Sequence, residues 1–307
     1  MAVITNKCNL PIEVYNALCA NRYSGDDDGR KTDYSATKLI APIQQTVLKQ
    51  RYPDAEEADA IDRVWSMFGS IAHTLLEEHG SEDALTESRF YTEVLGKSIS
   101  GQVDHVKDGI ITDYKTTSAF KITKRSYSEW EQQLNIYAWL ARLNGIKVRS
   151  LRVIAIIRDW SARDAEKFDY PSAPIVEIPL TLWSMTDATT YVTAKVSALK
   201  IAEEQDDMFL PLCTMEEMWQ SESVYALMKE GRKTAVKLFK SNDSLFEHLV
   251  EADLITSVVG EDGIESVRPL EPYYVVKREG ERRKCNKYCA VASKCQQNQS
   301  YIKAVSP

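Results

Sequence analysis

The stretch that decides the fold is Gly101–Lys115, which reads GQVDHVKDGIITDYK. Within it, the pair Asp108-Gly109 is the strongest short-range signal for a two-residue hairpin turn, because both central residues of a type I′ turn need positive φ. With that turn, Lys107 pairs with Ile110. The stretch therefore predicts an antiparallel hairpin with one strand on each side of the turn.

Counting back along both strands from this turn places two carboxylates on one face. Asp104 lies opposite Asp113, and directly opposed side chains in an antiparallel pair have Cβ atoms only about 4.5–5.5 Å apart. Like charges there are destabilising, so a cation is expected to offset them, and hard ions such as Mg²⁺ and Mn²⁺ prefer carboxylate oxygens. Side chains alternate along a strand, so Lys115 shares the face of Asp113 while Tyr114 points away. The hairpin thus predicts a divalent metal beside an ammonium group, which suits phosphoryl chemistry.

The order of these charged residues resembles the signature of the PD-(D/E)XK nucleases, and more narrowly their RecB-like and Cas4-like branch. In that branch the first aspartate lies in a G-x-x-D strand, here Gly101 to Asp104, and the second motif often reads D-x-K-T, here Asp113 to Thr116. The proline of the PD dipeptide is absent. An isolated Asp-x-Lys tripeptide would more often be a solvated strand edge with a weak ion pair. The resemblance implies metal-dependent hydrolysis of DNA, with Lys115 orienting or activating water.

A helix is predicted upstream of the hairpin, over Ile61–Gly80, because apolar residues recur there at helical spacing and form a stripe. His73 lies beside that stripe, and a lone histidine on such a helix is normally a surface or satisfied residue. In the Cas4-like and RecB-like families, however, a histidine on this helix is a metal ligand within a pattern similar to G-x-x-x-H, here Gly69 to His73. The ligand set that the resemblance implies for Mg²⁺ or Mn²⁺ is His73, Asp104, Asp113 and the backbone carbonyl of Tyr114.

A second helix is predicted after the hairpin, where Ser128 and Glu131 form an S-x-x-E capping box and Gly145 marks the end. Gln133 and Tyr137 are four residues apart on that helix and therefore share one face. Taken alone they belong to an ordinary amphipathic helix. The resembled family carries a Q-x-x-x-Y motif at this place, which implies contact with DNA and support of the active site.

The order of elements predicts an α/β fold. Helix, strand, strand and helix are followed by Val148–Arg158, a continuous apolar run typical of a buried central strand. A restriction-endonuclease-like core is expected, with a mixed central sheet flanked by helices, and after it a helical, cysteine-containing C-terminal region. The predicted divisions are 1–60 (N-terminal helical segment and loop), 61–200 (nuclease core) and 201–307 (C-terminal region with a metal-binding tail). Other predicted segments are a loop at 24–32, a helix at 35–52, a loop at 161–174, helices at 181–205 and 215–240, and a strand at 273–277.

Composition is that of a soluble globular protein, with 307 residues, 44% apolar and 27% charged. No apolar run approaches the roughly 20 residues that span a bilayer, so a cytoplasmic protein without membrane contact is expected. The net charge of −7 argues against a protein that binds nucleic acid over its whole surface. Local basic clusters at Lys121, Lys124 and Arg125, and at 282–284, remain candidates for a phosphate-binding groove.

Three cysteines lie within eleven residues near the C-terminus, as Cys285-x3-Cys289-x5-Cys295. In a cytosolic protein, clustered cysteines favour a metal or redox site over disulfides. Cas4-like and AddB-like nucleases close a [4Fe–4S] cluster with three C-terminal cysteines and one upstream cysteine, and this tail is similar. As the fourth ligand, Cys213 is favoured over Cys19, because the region after it resembles that of phage-type relatives. Four thiolates also suit structural Zn²⁺, and reduced structural cysteines are a further alternative.

The function that the resemblance implies is an exonuclease that processes single-stranded or duplex DNA ends in recombination, repair or CRISPR adaptation. The sequence has no Gly-rich phosphate loop, so any ATP-driven unwinding would need a helicase or recombination partner protein. Two alternatives stay open. One is a DNA-binding or interaction module on a nuclease fold, and the other is a nuclease for RNA or branched junctions.

Overall fold

The computed structural model describes residues 4–20, 30–55, 58–80, 83–259 and 265–305. Most of the predicted loop at 24–32 lies outside these residues. The chain divides into two compact units, Met1–Pro211 and Leu212–Pro307, while the three-part division made from the sequence stays a prediction. Within the described residues, no helix is both long enough and apolar enough to cross a membrane.

The first unit contains eight strands and seven α-helices among its described residues. The strands are β1 (Ile4–Thr5), β2 (Tyr34–Ser35), β3 (Ala58–Asp59), β4 (Leu85–Val94), β5 (Lys97–Lys107), β6 (Ile110–Thr117), β7 (Ser150–Ile157) and β8 (Ile175–Leu180). The helices are α1 (Ile12–Cys19), α2 (Ala36–Ile40), α3 (Ile43–Arg51), α4 (Val64–Glu78), α5 (Ala119–Thr123), α6 (Ser128–Leu143) and α7 (Met185–Glu204), with 3₁₀ turns at Ala60–Arg63 and Asp207–Phe209.

A six-stranded mixed sheet forms the centre of this unit, with strand order β2-β5-β6-β7-β8 and β4 paired to β5. Strand β5 is antiparallel to both β4 and β6, β6 runs parallel to β7, and β8 is antiparallel to β7. Helix α6 packs against β4–β7 and α4 packs against β6. The predicted α/β class with a mixed central sheet is confirmed, and so is the central strand predicted within Val148–Arg158.

The hairpin adopts the predicted turn. Asp108 has φ 51° and Gly109 has φ 74°, as a type I′ turn requires, and Lys107 pairs with Ile110. The backbone ladder between the two strands ends at the pair of His105 with Thr112. Beyond that pair the strands continue into the segment that carries the predicted site.

Two helices differ from the prediction in instructive ways. The predicted capping box at the start of α6 is wrong, because Ser128 is already the first helical residue and Tyr127 precedes it without a side-chain cap. The Glu131 carboxylate instead accepts hydrogen bonds at 3.3 Å from the Thr181 amide and the Trp183 indole. The helix predicted at 35–52 is divided into α2 and α3 by Ala41 and Pro42, since proline cannot continue the helix.

Helix α4 lies where it was predicted, but its apolar stripe is not buried. Residues 64–78 are all described, and none of them is buried. Because α4 packs on the sheet mainly through β6, the sheet covers only one side of this helix. The consequence is an apolar face of α4 that is open to solvent.

Gly101 permits the close approach of α6 to β5. A Cβ atom at Gly101 would lie 2.8 Å from Tyr137 Cδ1 and 2.8 Å from Leu140 Cδ1. We expect Gly101→Ala to lower the free energy of unfolding by about 1–3 kcal/mol through overpacking. Gly69→Ala is the matched control, since its Cβ would lie 3.4 Å from Thr116 Oγ1 and a helix interior favours alanine by up to about 1 kcal/mol. Urea unfolding of both variants checks this, and equal stability of the two would contradict it.

The second unit is built from short strands and three helices among its described residues. These are β9 (Val224–Lys229), β10 (Lys237–Phe239), β11 (Ile255–Val259), β12 (Glu265–Pro269), β13 (Tyr273–Arg278), α8 (Asn242–Glu251), α9 (Arg283–Lys287) and α10 (Gln296–Val305). The sheets have the orders β10-β9-β13 and β11-β12.

The helix predicted over 215–240 is wrong, because β9 and β10 occupy this stretch and pair with each other. The side chains of Leu227 and Phe239 form a small core with α8 residues Leu245 and Leu249. A short apolar run cannot be assigned to helix or strand by periodicity alone, and here the tertiary partners decide. The strand predicted at 273–277 is confirmed as β13.

Candidate active site

Three carboxylates share one register across β4, β5 and β6. Glu87 on β4, Asp104 on β5 and Asp113 on β6 occupy this row, although none of them forms a ladder pair with its neighbour. Glu87 has φ 42°, an uncommon value for a non-glycine residue, which interrupts the ladder on its side. The nearest pairs are Thr86–His105 and Ser88–Val103 between β4 and β5, and His105–Thr112 between β5 and β6.

His73 projects from α4 over this row. Its Nε2 atom lies 2.8 Å from the carbonyl oxygen of Tyr114. Its Nδ1 atom lies 3.6 Å from Asp104 Oδ2 and 3.9 Å from Glu87 Oε1. Among the described residues, His73, Glu87 and Asp104 are the one group of three histidine, cysteine or acidic residues whose possible ligand atoms all lie within 4.8 Å of one another.

Asp104 replaces the missing ladder contact with a side-chain contact. Its Oδ2 atom accepts a hydrogen bond of 2.9 Å from the Tyr114 amide. Burial, followed by the charge of Asp113, raises the Asp104 pKa to about 7 against the attraction of His73 and Lys115. The electrostatic repulsion that the sequence predicted between the two aspartates is therefore present in the folded chain.

The Asp113 carboxylate pairs with Lys115 from the same strand face, as strand alternation predicted. Lys115 Nζ donates a hydrogen bond of 3.0 Å to Oδ1 and lies 2.8 Å from Oδ2. Burial lowers the Lys115 pKa, but the charges of Asp113 and Asp104 outweigh burial and leave it raised. Asp113 is only 1% exposed, and its Oδ2 is a buried oxygen without a hydrogen bond of good geometry among the described residues. Lys115 supplies the cation beside this oxygen, and the residues that fit a divalent metal are His73, Glu87 and Asp104, whose possible ligand atoms all lie within 4.8 Å of one another.

His73 responds to the same negative charge. The Glu87 carboxylate 3.9 Å away, supported by the charges of Asp104 and Asp113, raises the pKa of His73 although burial opposes this. The histidine, the backbone carbonyl of Tyr114 and Asp104 are thus brought together, whereas Asp113 lies outside the group within 4.8 Å and is paired with Lys115. They converge at the edge where α4 crosses β4–β6.

Glu87 is the residue that the sequence reasoning missed. Its second oxygen accepts a hydrogen bond of 2.5 Å from Gln102 Nε2, and Gln102 Oε1 accepts one of 2.5 Å from Arg89. These two hydrogen bonds hold the Glu87 carboxylate toward His73. The sequence offered one signal for it, the two-residue turn at Leu95-Gly96. Both residues of this turn have positive φ, and the turn pairs β4 with β5 so that Glu87 lies opposite Asp104.

Gln133 and Tyr137 contact each other, as their spacing predicted. Gln133 Nε2 donates a hydrogen bond of 2.7 Å to the Tyr137 hydroxyl oxygen. Burial raises the pKa of Tyr137, and the charge of Asp113 raises it further. The phenol therefore lies within electrostatic range of the carboxylate row, on the side formed by α6.

The predicted basic cluster after β6 is partly engaged by its own neighbours. Lys121 Nζ lies 3.6 Å from Glu129 and 4.5 Å from the centroid of the Trp130 ring. Burial lowers the pKa of Lys121, Glu129 opposes this, and the charge of Lys115 lowers it further. Lys121 is thus engaged by its neighbours and lies within electrostatic range of Lys115.

In the second unit, the basic cluster at 282–284 contains one arginine with a structural role. Arg282 donates hydrogen bonds of 3.0 Å to Gln220 Oε1 and to the Gln297 carbonyl. Its guanidinium lies 4.2 Å from the centroid of the Tyr301 ring. Arg282 therefore ties α10 to the start of its own unit.

The four cysteines predicted as ligands belong to the second unit and form no disulfide. Burial raises the pKa of Cys213 to about 12, with further contributions from Glu217 and then from Cys295, Cys285 and Cys289. The backbone of Cys213 is held by the Gln297 side chain through hydrogen bonds of 2.9 Å to its N–H and its carbonyl. The thiols are therefore close enough to influence one another, whereas Cys19 lies in the first unit at the end of α1.

No protein-family model and no curated protein matches the chain. Several solved structures do. The protein SSO0001 is 18% identical, with 62% of this chain and 85% of that chain covered and a TM-score of 0.43. An alkaline exonuclease from Laribacter hongkongensis (9% identity, 55% and 89% covered, TM-score 0.36) and a phage-related exonuclease from Haemophilus somnus (11%, 66% and 93%, 0.35) also match. All three TM-scores are below 0.5, so this likeness carries no functional argument.

Proposed function

We propose that the first unit is a divalent-metal-dependent deoxyribonuclease that hydrolyses phosphodiester bonds. The observation that carries the proposal is the convergence of His73, Asp104 and the Asp113–Lys115 pair at one edge of the sheet. A buried acid with a raised pKa, here Asp104, beside a fixed cation is typical of a catalytic site. No packing requirement explains a row of like charges in the interior of a sheet.

The donor set defines which residues would hold the metal. The proposed ligands are His73, Asp104, Asp113 and the Tyr114 carbonyl. Glu87 joins them because its carboxylate lies within 4.8 Å of the ligand atoms of His73 and Asp104. A bound Mg²⁺ or Mn²⁺ would supply Lewis-acid polarisation of the phosphoryl oxygen and a hydroxide nucleophile near neutral pH. Carboxylate ligands suit both ions, and the imidazole ligand favours Mn²⁺.

Lys115 provides the fixed positive charge of the site. Its contacts of 2.8 and 3.0 Å with Asp113 hold Nζ in one place before substrate arrives. A preorganised cation stabilises negative charge that develops on the phosphate without reorganisation during the reaction. Lys115 is also placed to orient the attacking water. Gln133 and Tyr137 would shape the substrate side of the site from α6.

The test is cleavage of end-labelled linear DNA and of circular single-stranded DNA, with Mn²⁺ or with EDTA. We propose that the enzyme degrades linear DNA from its ends and spares circles. Cutting of circles would show an endonuclease instead. Cleavage of RNA with the same base sequence tests whether the enzyme acts on RNA. Absence of metal-dependent cleavage of every substrate would overturn the proposed function. Action at DNA ends during recombination or repair, with a helicase or recombination partner, is part of the same proposal.

Glu87→Gln is expected to weaken Mn²⁺ binding by about 10–100-fold, because the variant removes one negative charge from the donor group and disturbs the orientation of His73. Isothermal titration of metal-free protein measures this without substrate. Glu93→Gln is the matched control, since Glu93 is an exposed residue of the same strand. Equal Mn²⁺ affinity of the two variants would exclude Glu87 from the site.

We infer that the second unit holds a metal centre through Cys213, Cys285, Cys289 and Cys295, a [4Fe–4S] cluster with Zn²⁺ as the alternative. The Cys295, Cys285 and Cys289 thiols add to the raised pKa of Cys213 after burial and Glu217, and a bound cation would offset this repulsion, which supports a shared site. The expected result is about one cluster or one zinc ion per chain after anaerobic purification. Cys213→Ser should lower this content several-fold, whereas Cys19→Ser should not. A native protein that contains neither iron nor zinc would contradict the inference.

A further inference from the structure

Helix α4 carries an apolar face that the described residues leave exposed. Its members are Trp65 (52% exposed), Phe68 (49%), Ile71 (43%) and Leu75 (52%). A surface helix normally turns its apolar residues toward the core and its polar residues toward water. The face that α4 directs into the unit carries His73, so the aromatic residues are left on the outside. An exposed apolar patch of this kind commonly marks an interaction site.

Two aromatic rings and one cation form the part of this face nearest the start of α4. The ring centroids of Trp65 and Phe68 are 5.9 Å apart, and the Arg158 guanidinium lies 4.8 Å from the centroid of the Trp65 ring. Arg158 directly follows β7, and its N–H donates a hydrogen bond of 2.9 Å to the carbonyl of Thr117 at the end of β6. We call Trp65, Phe68 and Arg158 the aromatic face.

The two rings of the aromatic face lie on the same helix as His73 of the proposed catalytic site. Trp65 precedes His73 by eight residues, which is about 12 Å along a helix and about 80° around it. That length equals about three to four stacked nucleotides at 3.4 Å each. Arg158 is fixed to the end of β6, the strand on which Lys115 lies two residues before Thr117. A strand of nucleic acid with a phosphate at Lys115 can therefore reach the aromatic face.

We propose that the aromatic face binds the unpaired nucleotides of single-stranded DNA adjacent to the scissile phosphate. Bases stack on Trp65 and Phe68, and Arg158 contacts a phosphate. Proteins that bind single strands combine aromatic platforms with cations along the backbone path, and this face supplies both. The proposal rests on the proposed nuclease function and adds the form of the substrate.

Two considerations favour single-stranded DNA as the occupant. In a duplex each base is covered by its neighbours, so only unpaired bases offer free rings to Trp65 and Phe68. The charges also complement the ligand, because Arg158 and Lys115 are cations at the ends of adjacent strands and the ligand is a polyanion. A partner protein that docks on the apolar residues is the competing occupant, and the experiment separates the two.

The experiment measures binding of fluorescently labelled oligodeoxythymidylate and of a blunt-ended DNA duplex by anisotropy, in the Lys115→Ala background so that no DNA is cut. Trp65→Ala and Phe68→Ala are each expected to weaken single-strand binding by about five-fold or more, with less than two-fold effect on the duplex. Trp65→Phe keeps a ring and should restore most of the affinity. Phe168→Ala is the matched control, because Phe168 is 95% exposed in the loop between β7 and β8.

Arg158→Gln tests the phosphate contact separately. Loss of one contact lowers the slope of log affinity against log salt by about 0.7 for a single strand. Unchanged single-strand binding of Trp65→Ala, or equal losses on single strand and duplex, would overturn the proposal. So would a change of self-association on Trp65→Ala in sedimentation without loss of DNA affinity, which would assign the face to a protein. Cleavage by native protein that is lost in Lys115→Ala would leave the nuclease function standing in each of these cases.

Discussion

Lys115→Ala is expected to lower the rate of DNA cleavage by about 10²–10³-fold or more, while the fold is retained. The reason is the loss of a preorganised cation beside the reacting phosphate, a change that costs this much when one stabilising donor is removed from other active sites. The ion pair is with Asp113 of the same strand, so the variant breaks no contact between strands, although it leaves the buried Asp113 carboxylate without its cation. Initial rates on end-labelled linear DNA with saturating Mn²⁺ measure the effect.

The matched control is Lys49→Ala, which removes an exposed lysine from α3 and should cleave at the native rate. Asp113→Ala should be as inactive as Lys115→Ala, because it removes a proposed ligand and the partner that fixes Nζ. Circular dichroism of each variant separates loss of chemistry from loss of fold. Native rates in both site variants would remove the proposed active site altogether.

Asp104→Asn is expected to stabilise the protein when metal is absent and to abolish stabilisation by metal. Burial and the Asp113 charge raise the Asp104 pKa from 3.8 to about 7, so the folded state disfavours the carboxylate. Each tenfold change in a protonation equilibrium corresponds to about 1.4 kcal/mol, so keeping this carboxylate charged at pH 8 costs at most about 4 kcal/mol. The amide is neutral and its oxygen can still accept the Tyr114 N–H.

The pH dependence has a definite sign. A carboxyl with a raised pKa contributes stability below its unfolded value, near pH 4, and this contribution is lost as the pH rises to about 7. In EDTA, the melting temperature of Asp104→Asn should therefore rise above that of the native protein by several degrees as the pH increases from 4 to 8. Asp83→Asn is the exposed control. In Mn²⁺ the order should reverse, because a ligand that binds only the native state stabilises it. A variant that melts below the native protein in EDTA at pH 8 would contradict this account.

The hairpin and the proposed catalytic residues on it could be predicted because the relevant interactions are local. A turn that needs positive φ at Asp108 and Gly109 sets the register of both strands, and strand alternation then places Lys115 with Asp113. The contact of Gln133 with Tyr137 follows from one helical turn in the same way.

The errors arise where long-range packing decides the outcome. The residues of β9 form a strand because β10 and β13 pair with it. The sequence pattern of so short an apolar run does not distinguish a strand from a helix. The capping box failed because Ser128 lies inside the helix and Glu131 is engaged by Thr181 and Trp183, some fifty residues away in sequence. In both cases a distant partner outweighed a local preference.

By itself the sequence determined the turn, the strand register, the α/β class and the pairing of neighbouring side chains, since these depend on a few consecutive backbone and side-chain geometries. Only the tertiary structure decided that Glu87 joins His73 and Asp104, because that contact requires a third strand and a helix to meet. It also decided that Trp65 and Phe68 remain exposed, since a periodic apolar stripe specifies a face but the elements packed beside it determine whether that face is buried.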